Sequence, residues 1–328
     1  MAADRDAVSD SEREAALAAV RAAGALCARA QGRLAAGETL TKGDDSPVTV
    51  ADFAAQAVVV AELVARLGPI ELVGEEDAAD LARDDQATLR DGVVGLVAAQ
   101  LGRAVEAGQV LDWIAAGGAD GTSDRYWTLD PIDGTKGFLR GDQYAVALAL
   151  IERGRVVLGV LGCPNLPNPD GSRGAVLVTG VDGTAASAGD GPLVPVHVAR
   201  PRSLAAARFC ESVESGHSNH DDSAEIARRL GIRTEPYRID SQCKYAAVAR
   251  GDASIYLRLP TRPDYREKIW DHAAGMLLVE RAGGTVTDVD GHALDFTHGR
   301  RLECNRGIVA TDGRFHDEVL GAVQSVLG

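Results

Sequence analysis

Residues Trp127 to Phe138 read Trp-Thr-Leu-Asp-Pro-Ile-Asp-Gly-Thr-Lys-Gly-Phe. Two carboxylates, Asp130 and Asp133, stand here at the end of an apolar run suited to a buried strand. Pro131 fixes φ and removes a donor, and Gly134 accepts a turn readily, so the chain is expected to leave the sheet at this point. Asp130, Asp133 and the Ile132 carbonyl can then converge, while Thr135 to Gly137 can open a helix whose free N–H groups face an anion. Hard oxygen donors beside an anion hole are the chemistry of Mg²⁺ and phosphate. Taken alone, Asp-Pro-x-Asp-Gly is also an ordinary turn, since every residue in it favours turns.

Further carboxylates stand at element ends. The polar run Thr41 to Ser46 leads to Asp52, and Phe53, Ala57, Val60, Val64 and Leu67 follow at helical spacing, which places Asp52 at a helix start as an N-cap or a metal ligand. Ile70 to Val73 reads as a short strand running into Gly74-Glu75-Glu76-Asp77, an acidic loop that suits solvent or a cation. Asp271 falls near the N-terminus of an apolar helix that runs to Gly283-Gly284, where a carboxylate is favoured with or without a metal. Asp240 to Lys244 opens a helix capped by Gly251. Ser241 and Lys244 could hold phosphate there, although serine is a common cap. His217-Ser218-Asn219-His220 lacks a third soft ligand nearby, so it reads as a polar loop before a helix and not as a zinc site.

These groups need a frame. Apolar periodicity predicts helices over Ser11–Leu34, Leu89–Leu101 and Phe315–Leu327. Tyr144–Ile151 and Val156–Leu161 form a hairpin about Glu152–Arg155, and a second hairpin turns at Asp182-Gly183, which gives an antiparallel sheet. From about Ala199 strands and helices alternate, through Arg208–Val213, Ala224–Leu230, Tyr245–Arg250, Ser254–Leu259 and Gly307–Thr311. Two domains are therefore expected, residues 1–198 with the antiparallel sheet and residues 199–328 of α/β type.

The 328 residues are long enough for such cores. Forty-eight Asp and Glu against 34 Lys and Arg give a net charge of -14, which repels a polynucleotide but leaves a small anion possible where bound cations reverse the local sign. Met1 to Glu14 is acidic and polar, without the apolar core of a signal peptide, and no run is long enough to span a bilayer, so the cytoplasm is the expected location. Five widely spaced cysteines indicate neither a disulfide framework nor a zinc knuckle.

Four ordered motifs, Ser46-Pro47-Val48-Thr49 with Asp52, Val73-Gly74-Glu75-Glu76, Asp130 to Phe138, and Trp270 to Gly275, resemble the lithium-sensitive, Mg²⁺-dependent phosphatases related to inositol monophosphatase. Gly137-Phe138-Leu139-Arg140-Gly141, Leu161 to Asn165, Gly216-His217-Ser218, Asp240-Ser241-Gln242 and Tyr256 to Pro260 are similar to the 3'(2'),5'-bisphosphate nucleotidases within that group. The resemblance implies a layered α-β-α-β-α sandwich of the inositol monophosphatase and fructose bisphosphatase type. It implies roughly two or three Mg²⁺ ions held by Glu75, Asp130, Asp133, Asp271 and the Ile132 carbonyl, with Asp52 and Thr135 about the attacking water. Gly134, Thr135, His217, Ser241, Lys244, Arg258 and Asp271 would contact substrate. The implied reaction is hydrolysis of the 3'-phosphate of adenosine 3',5'-bisphosphate to AMP, and also of 3'-phosphoadenosine 5'-phosphosulfate. The alternatives are an inositol polyphosphate 1-phosphatase, an inositol or sugar monophosphatase, or more remotely a non-catalytic nucleotide sensor. A small nucleotide is the expected partner, with neither nucleic acid nor membrane, and the protein would be a monomer or homodimer.

Overall fold

The computed structural model describes residues 8–36, 47–213, 220–262 and 264–328. The chain opens on α1 (Asp10–Ala35) and α2 (Pro47–Leu67), then β1 (Leu72–Gly74), α3 (Ala78–Leu81), α4 (Ala87–Leu101) and α5 (Ala107–Ala115). β2 (Arg125–Asp133) and the short α6 (Thr135–Arg140) lead into β3 (Ala145–Glu152), β4 (Arg155–Pro167), β5 (Arg173–Thr179), β6 (Thr184–Ala188) and β7 (Val194–Val196). The remainder is β8 (Phe209–Glu211), α7 (His220–Leu230), β9 (Tyr237–Arg238), α8 (Cys243–Ala249), β10 (Ile255–Arg258), α9 (Ala273–Arg281), β11 (Thr285–Thr287), β12 (Ile308–Thr311) and α10 (His316–Leu327).

Among the described residues a seven-stranded sheet runs in the order β1 to β7, and a five-stranded sheet in the order β11-β12-β10-β8-β9. The first sheet is antiparallel throughout except where β1 lies parallel to β2. One of its faces packs on α1, α2, α4 and α5 through Val20, Leu26, Val58, Leu63, Val93 and Ile114. The other face meets α8 and α9, whose Tyr245, Ala274 and Leu278 also touch the second sheet through Tyr256 and Ala310. Ile226 of α7 and Val319 and Val323 of α10 cover the far side. These are the expected five layers, α-β-α-β-α. A division at residue 199 falls between the two sheets, yet α8 and α9 share one core with both.

Residue size sets the spacing of the middle layer. β3 carries Val146, Leu148 and Leu150 toward α1 and α2, and Ala145, Ala147 and Ala149 toward α8 and α9. Both faces are covered, so the strand reads as one apolar run. The alanine face lets α9 approach closely. A Cβ at Gly159 of β4 would lie 2.7 Å from the Ala274 carbonyl oxygen, and one at Gly275 would lie 2.3 Å from the Tyr245 ring. The N-terminus of α9, beside Asp271, is held against the first sheet by this small-residue seam.

Local chemistry explains the ends. Ser9 caps α1 in a box with Glu12. Pro47 is the first residue of α2, where a fixed φ and a missing N–H do no harm. Asp52 is accordingly inside α2 and not its N-cap, which corrects the sequence reading. The Arg153-Gly154 turn between β3 and β4 has positive φ at both residues, 48° and 73°, as a two-residue hairpin of this hand requires.

Gly275→Ala should destabilise the protein by about 1–3 kcal/mol, because the new methyl overlaps the Tyr245 ring. Gly95→Ala in α4, where a Cβ meets nothing within 4 Å, should instead stabilise it by about 0.5–1 kcal/mol. Urea denaturation of both variants checks this. Equal effects would contradict the close seam.

Candidate active site

The two aspartates of the opening motif share a face only because β2 is irregular. Residues three apart on a regular strand point to opposite faces. The pairing with β3 slips between Asp130 and Asp133, with Asp130 opposite Ala147 and Asp133 opposite Ala145, so three residues of β2 advance against two of β3. That one-residue bulge reverses the alternation. Trp127, Leu129 and Ile132 pack toward α1 and α2, which leaves Asp130 and Asp133 on the opposite side. Pro131 sits inside the bulge, the one place in a central strand that tolerates a missing donor. The chain therefore does not leave the sheet at Pro131 as expected. It bulges there and continues to Asp133.

A cavity of about 300 Å³ opens at this bulge, in the size range of small-molecule sites. Glu75, Asp130, Ile132, Asp133, Gly134, Thr135, Ser241, Lys244, Arg258 and Asp271 all line it, from β1, β2, α6, α8, β10 and the turn before α9. The Ile132 side chain is in the helical core, so this residue faces the cavity through its main chain. Asp52 does not line the cavity. It lies buried on α2, with Glu76 and Glu75 as its charged neighbours. Among the described residues no hydrogen bond joins it to Thr135. His217 and the Thr41–Ser46 loop lie outside the described residues.

Burial and mutual repulsion dominate the electrostatics. Burial raises Asp130 well above the usual carboxylate range, and Glu75, Asp133 and Asp271 raise it further. Asp271 is raised in the same way by burial and Asp133, and Glu75 by burial and Asp133 against a hydrogen bond with Asp130. Asp133 is also raised by burial, although Lys244 and the Gln242 N–H pull against this. Behind them Glu76 is pushed up to about 7 by burial and by Glu75, and Asp52 is raised by burial, Glu76 and Glu75. One buried oxygen of Asp130, Oδ1, has no hydrogen-bond partner. An all-oxygen donor set with an unpartnered buried carboxylate oxygen fits a hard divalent cation.

Several residues that the sequence reading left without a role hold this arrangement. Gln56, one turn along α2 from Asp52, is fully buried and donates to the carbonyls of Glu76 (2.8 Å) and Ile114 (2.9 Å) while accepting from the Glu76 N–H (3.2 Å). Gln242 donates its main-chain N–H to Asp133 Oδ2 (2.5 Å) and its side-chain amide to the Trp270 carbonyl (2.9 Å), and accepts from the Gly275 N–H (3.1 Å). It thus joins the end of β2 to both sides of Asp271. Arg300 donates to the carbonyls of Gly74 (2.5 Å) and Ala119 (2.9 Å) and stacks 4.8 Å from the Trp270 ring centre.

The cationic side of the cavity is also fixed. Lys244 is buried, donates to Ser212 Oγ (3.2 Å) and lies 5.3 Å from the Tyr256 ring centre. Burial lowers its pKa, and Asp133 opposes the shift. Arg258 donates Nε to Glu267 Oε1 (2.8 Å), and His272 Nε2 lies 3.2 Å from Glu267 Oε2. Burial works to raise Glu267, but the His272 hydrogen bond and the Arg258 charge hold it at about 2. His272 is lowered by burial, so its neutral ring donates Nε2–H to Glu267 and accepts at Nδ1 from the Tyr245 hydroxyl (2.8 Å). Ser241 adopts φ 65°, and a Cβ on Gly134, itself at φ 92°, would come within 2.8 Å of the Ser241 Cβ. The turns after β2 and before α8 thus meet in direct contact.

This five-layer fold with its acidic cavity places the chain in a known class. The family model for the inositol monophosphatase family matches residues 9–327, and the chain belongs to that family. Within it, the chain is 43% identical to a 3'(2'),5'-bisphosphate nucleotidase of Schizosaccharomyces pombe over 97% of its own length and 96% of the relative's. It is 44% identical to one of Emericella nidulans over 88% and 91%. Solved structures with the same fold include CysQ from Bacteroides thetaiotaomicron, at TM-score 0.61 and 20% identity over 92% of this chain and 97% of that one. An inositol monophosphatase from Anabaena gives TM-score 0.60 at 20% identity over 95% of each chain. Among the described residues no helix is long and apolar enough to cross a membrane.

The raised carboxylates set a pH dependence. Glu76 ionises near 4.5 when unfolded and near 7 when folded, so its contribution to stability is complete below the first value and lost as pH rises through the second. Asp52, Asp130, Asp133 and Asp271 act in the same sense, and Glu267, held at about 2, changes little across that window. His272 and His316, lowered by burial from 6.5, oppose the trend, two groups against these five carboxylates. The melting temperature of the metal-free protein should therefore fall between pH 4.5 and about 7. Stabilisation by added Mg²⁺ should grow over the same interval, since the ligands must be deprotonated. Thermal melts in chelator and in Mg²⁺ check both trends, and a metal-free melting temperature that rises there contradicts the assignment.

Proposed function

We propose that this protein is a divalent-metal-dependent phosphatase that hydrolyses the 3'-phosphate of adenosine 3',5'-bisphosphate to AMP and phosphate, and of 3'-phosphoadenosine 5'-phosphosulfate likewise. One observation carries the reading. A single cavity sets four carboxylates against two cations, buried Lys244 and half-buried Arg258, in a chain that matches named bisphosphate nucleotidases over nearly its whole length. The carboxylates suit a metal and the phosphate to be cleaved. Fixed cations at the other side suit a second anionic group, which a monophosphate substrate would not need.

Glu75, Asp130, Asp133, Asp271 and the Ile132 carbonyl would hold Mg²⁺. When bound, Mg²⁺ supplies positive charge to the phosphate oxygens and a water of lowered pKa. Gly134 and Thr135 start α6, so their main-chain N–H groups can receive phosphate oxygens. Thr135 lines the cavity, and its hydroxyl would orient the attacking water. Asp52 lies behind Glu75 and Glu76 without a hydrogen bond to Thr135, so it can take up the water's proton only in its ionised form and once the two side chains meet. Ser241, just before α8, with Lys244, Arg258 and Asp271, would bind the nucleoside and its 5'-phosphate, together with His217. Glu267 and His272 orient the Arg258 guanidinium.

Purified protein should release phosphate from adenosine 3',5'-bisphosphate only with Mg²⁺, and faster than from inositol 1-phosphate or inositol 1,4-bisphosphate. Metal-independent turnover, or a preference for the inositol phosphates, would overturn the reading. Asp130→Asn should lower turnover by roughly 10²–10³-fold while circular dichroism stays unchanged. Lys244→Met should raise KM for the bisphosphate by roughly 10-fold or more, as expected for a lost charged hydrogen bond, and affect a monophosphate much less. Equal losses on both substrates would remove the role given to Lys244.

A further inference from the structure

The connection between β11 and β12 runs from residue 288 to residue 307 without regular secondary structure. Loops of this length are uncommon in packed domains unless they carry function. Buried polar groups fix this one. Asn305 donates to Asp288 Oδ2 (3.0 Å) and to the Ala293 carbonyl (3.0 Å), and accepts from the Asp295 N–H (2.7 Å). The Leu302 N–H donates to the Glu267 carbonyl (2.9 Å), and Gly299 turns at φ 75° against the Asp120 carbonyl.

This frame brings together three side chains, one of them a thiol, which does not line the carboxylate cavity. Asp295 Oδ1 accepts from the Thr297 N–H (2.9 Å) and hydroxyl (2.6 Å), which leaves Oδ2 to face His298 Nε2 at 3.2 Å. Cys304 Sγ lies 3.1 Å from the same nitrogen, and the three ligand atoms are within 4.8 Å of one another. A tetrahedral zinc with bonds of about 2.0–2.3 Å separates its N, O and S ligands by about 3.3–3.6 Å. The two separations from His298 Nε2, 3.2 Å and 3.1 Å, come close to that spacing. Cys304 is exposed, as is His298 at 43%, so a fourth position is open to water. The other four cysteines are buried.

We propose that Asp295, His298 and Cys304 form a surface site for a thiophilic divalent cation of the Zn²⁺ type, distinct from the all-oxygen cavity. Thiolate and imidazole select such ions over Mg²⁺, which favours the oxygen donors elsewhere, so the two sites sort cations by softness. Binding converts the Cys304 thiol to a thiolate and releases its proton to solvent. Arg300, the side chain that ties Gly74 and Trp270 on either flank of the carboxylates, lies in sequence between His298 and Cys304, so an ion here would close the loop that carries it.

Co²⁺ serves as the probe because only a thiolate ligand gives it an intense near-ultraviolet charge-transfer band. Titrating metal-free protein with Co²⁺ should produce that band, and Zn²⁺ should displace it. The band should persist in Asp133→Asn, disappear in Cys304→Ser, and need at least about 10-fold more Co²⁺ in His298→Ala. Zn²⁺, but not Mg²⁺, should also protect Cys304 from alkylation by iodoacetamide in the unmutated protein. No band, a band that survives in Cys304→Ser, or alkylation unaffected by Zn²⁺ would overturn the proposal. None of these readouts depends on phosphatase activity, so failure here and failure of the functional reading are separable.

Discussion

Glu75, Asp130, Asp133 and Asp271 are driven together although they repel one another. Their burial makes the repulsion stronger than it would be in water, because the surrounding dielectric is low. A cation relieves it, and without one the carboxylates must retain protons. Such a cluster has to be held by forces that do not neutralise it. Most of the holding contacts are uncharged, made by Gln56, Gln242 and main-chain amides, and so they leave the negative charge available. Arg300, the charged exception, takes main-chain carbonyls and a ring face and no carboxylate of the cluster.

Backbone irregularity does the rest. A regular β2 would have turned either Asp130 or Asp133 into the apolar layer beneath α2, where neither charge nor proton could be exchanged. The bulge at Pro131 avoids this without interrupting the sheet, since β2 remains paired to β3 on either side of it and to β1 over Trp127–Leu129. The alanine face of β3 and the glycines at 159 and 275 serve the same end from the other side. They let α9 come near enough for Asp271 to join carboxylates supplied by the first sheet. Thus the site depends on small residues some distance from it as much as on the acids themselves.

Much of this was legible in the sequence. Helical periodicity located α1, α4 and α10 closely, and α9 was visible as an apolar run ending at Gly283-Gly284, all of whose residues from Ala273 to Val279 are buried. The strand-end position of Glu75 and the turn at Gly134 also follow from local residue types. The course of β2 was not legible, because Asp-Pro-x-Asp reads as a chain exit unless the partner strand is known. Asp52 was misplaced for a similar reason. Its polar neighbours suggest a cap, but Pro47 starts the helix five residues earlier. Gln56 and Gln242 carry no local signal as anchors, since their partners lie 20 or more residues away. A lone glutamine within the apolar run of α2 was the one visible hint.

The cationic half of the cavity shows how charge can be fixed without being cancelled. Arg258 meets Glu267, which would seem to neutralise it. Glu267, however, stays ionised because His272 and Arg258 both bind it, while burial lowers His272, whose Nδ1 meets the Tyr245 hydroxyl. The four residues form one chain from the middle layer to the cavity wall. Its effect is orientation: Nε of Arg258 is taken, so the guanidinium plane has few rotamers left. Lys244 is held differently, by one hydroxyl and an aromatic face, and keeps more of its charge for a ligand. A site with carboxylates on one side, an aimed guanidinium and a lightly tethered ammonium on the other distinguishes two anionic groups on one ligand by position, and spacing between them becomes the basis of selection.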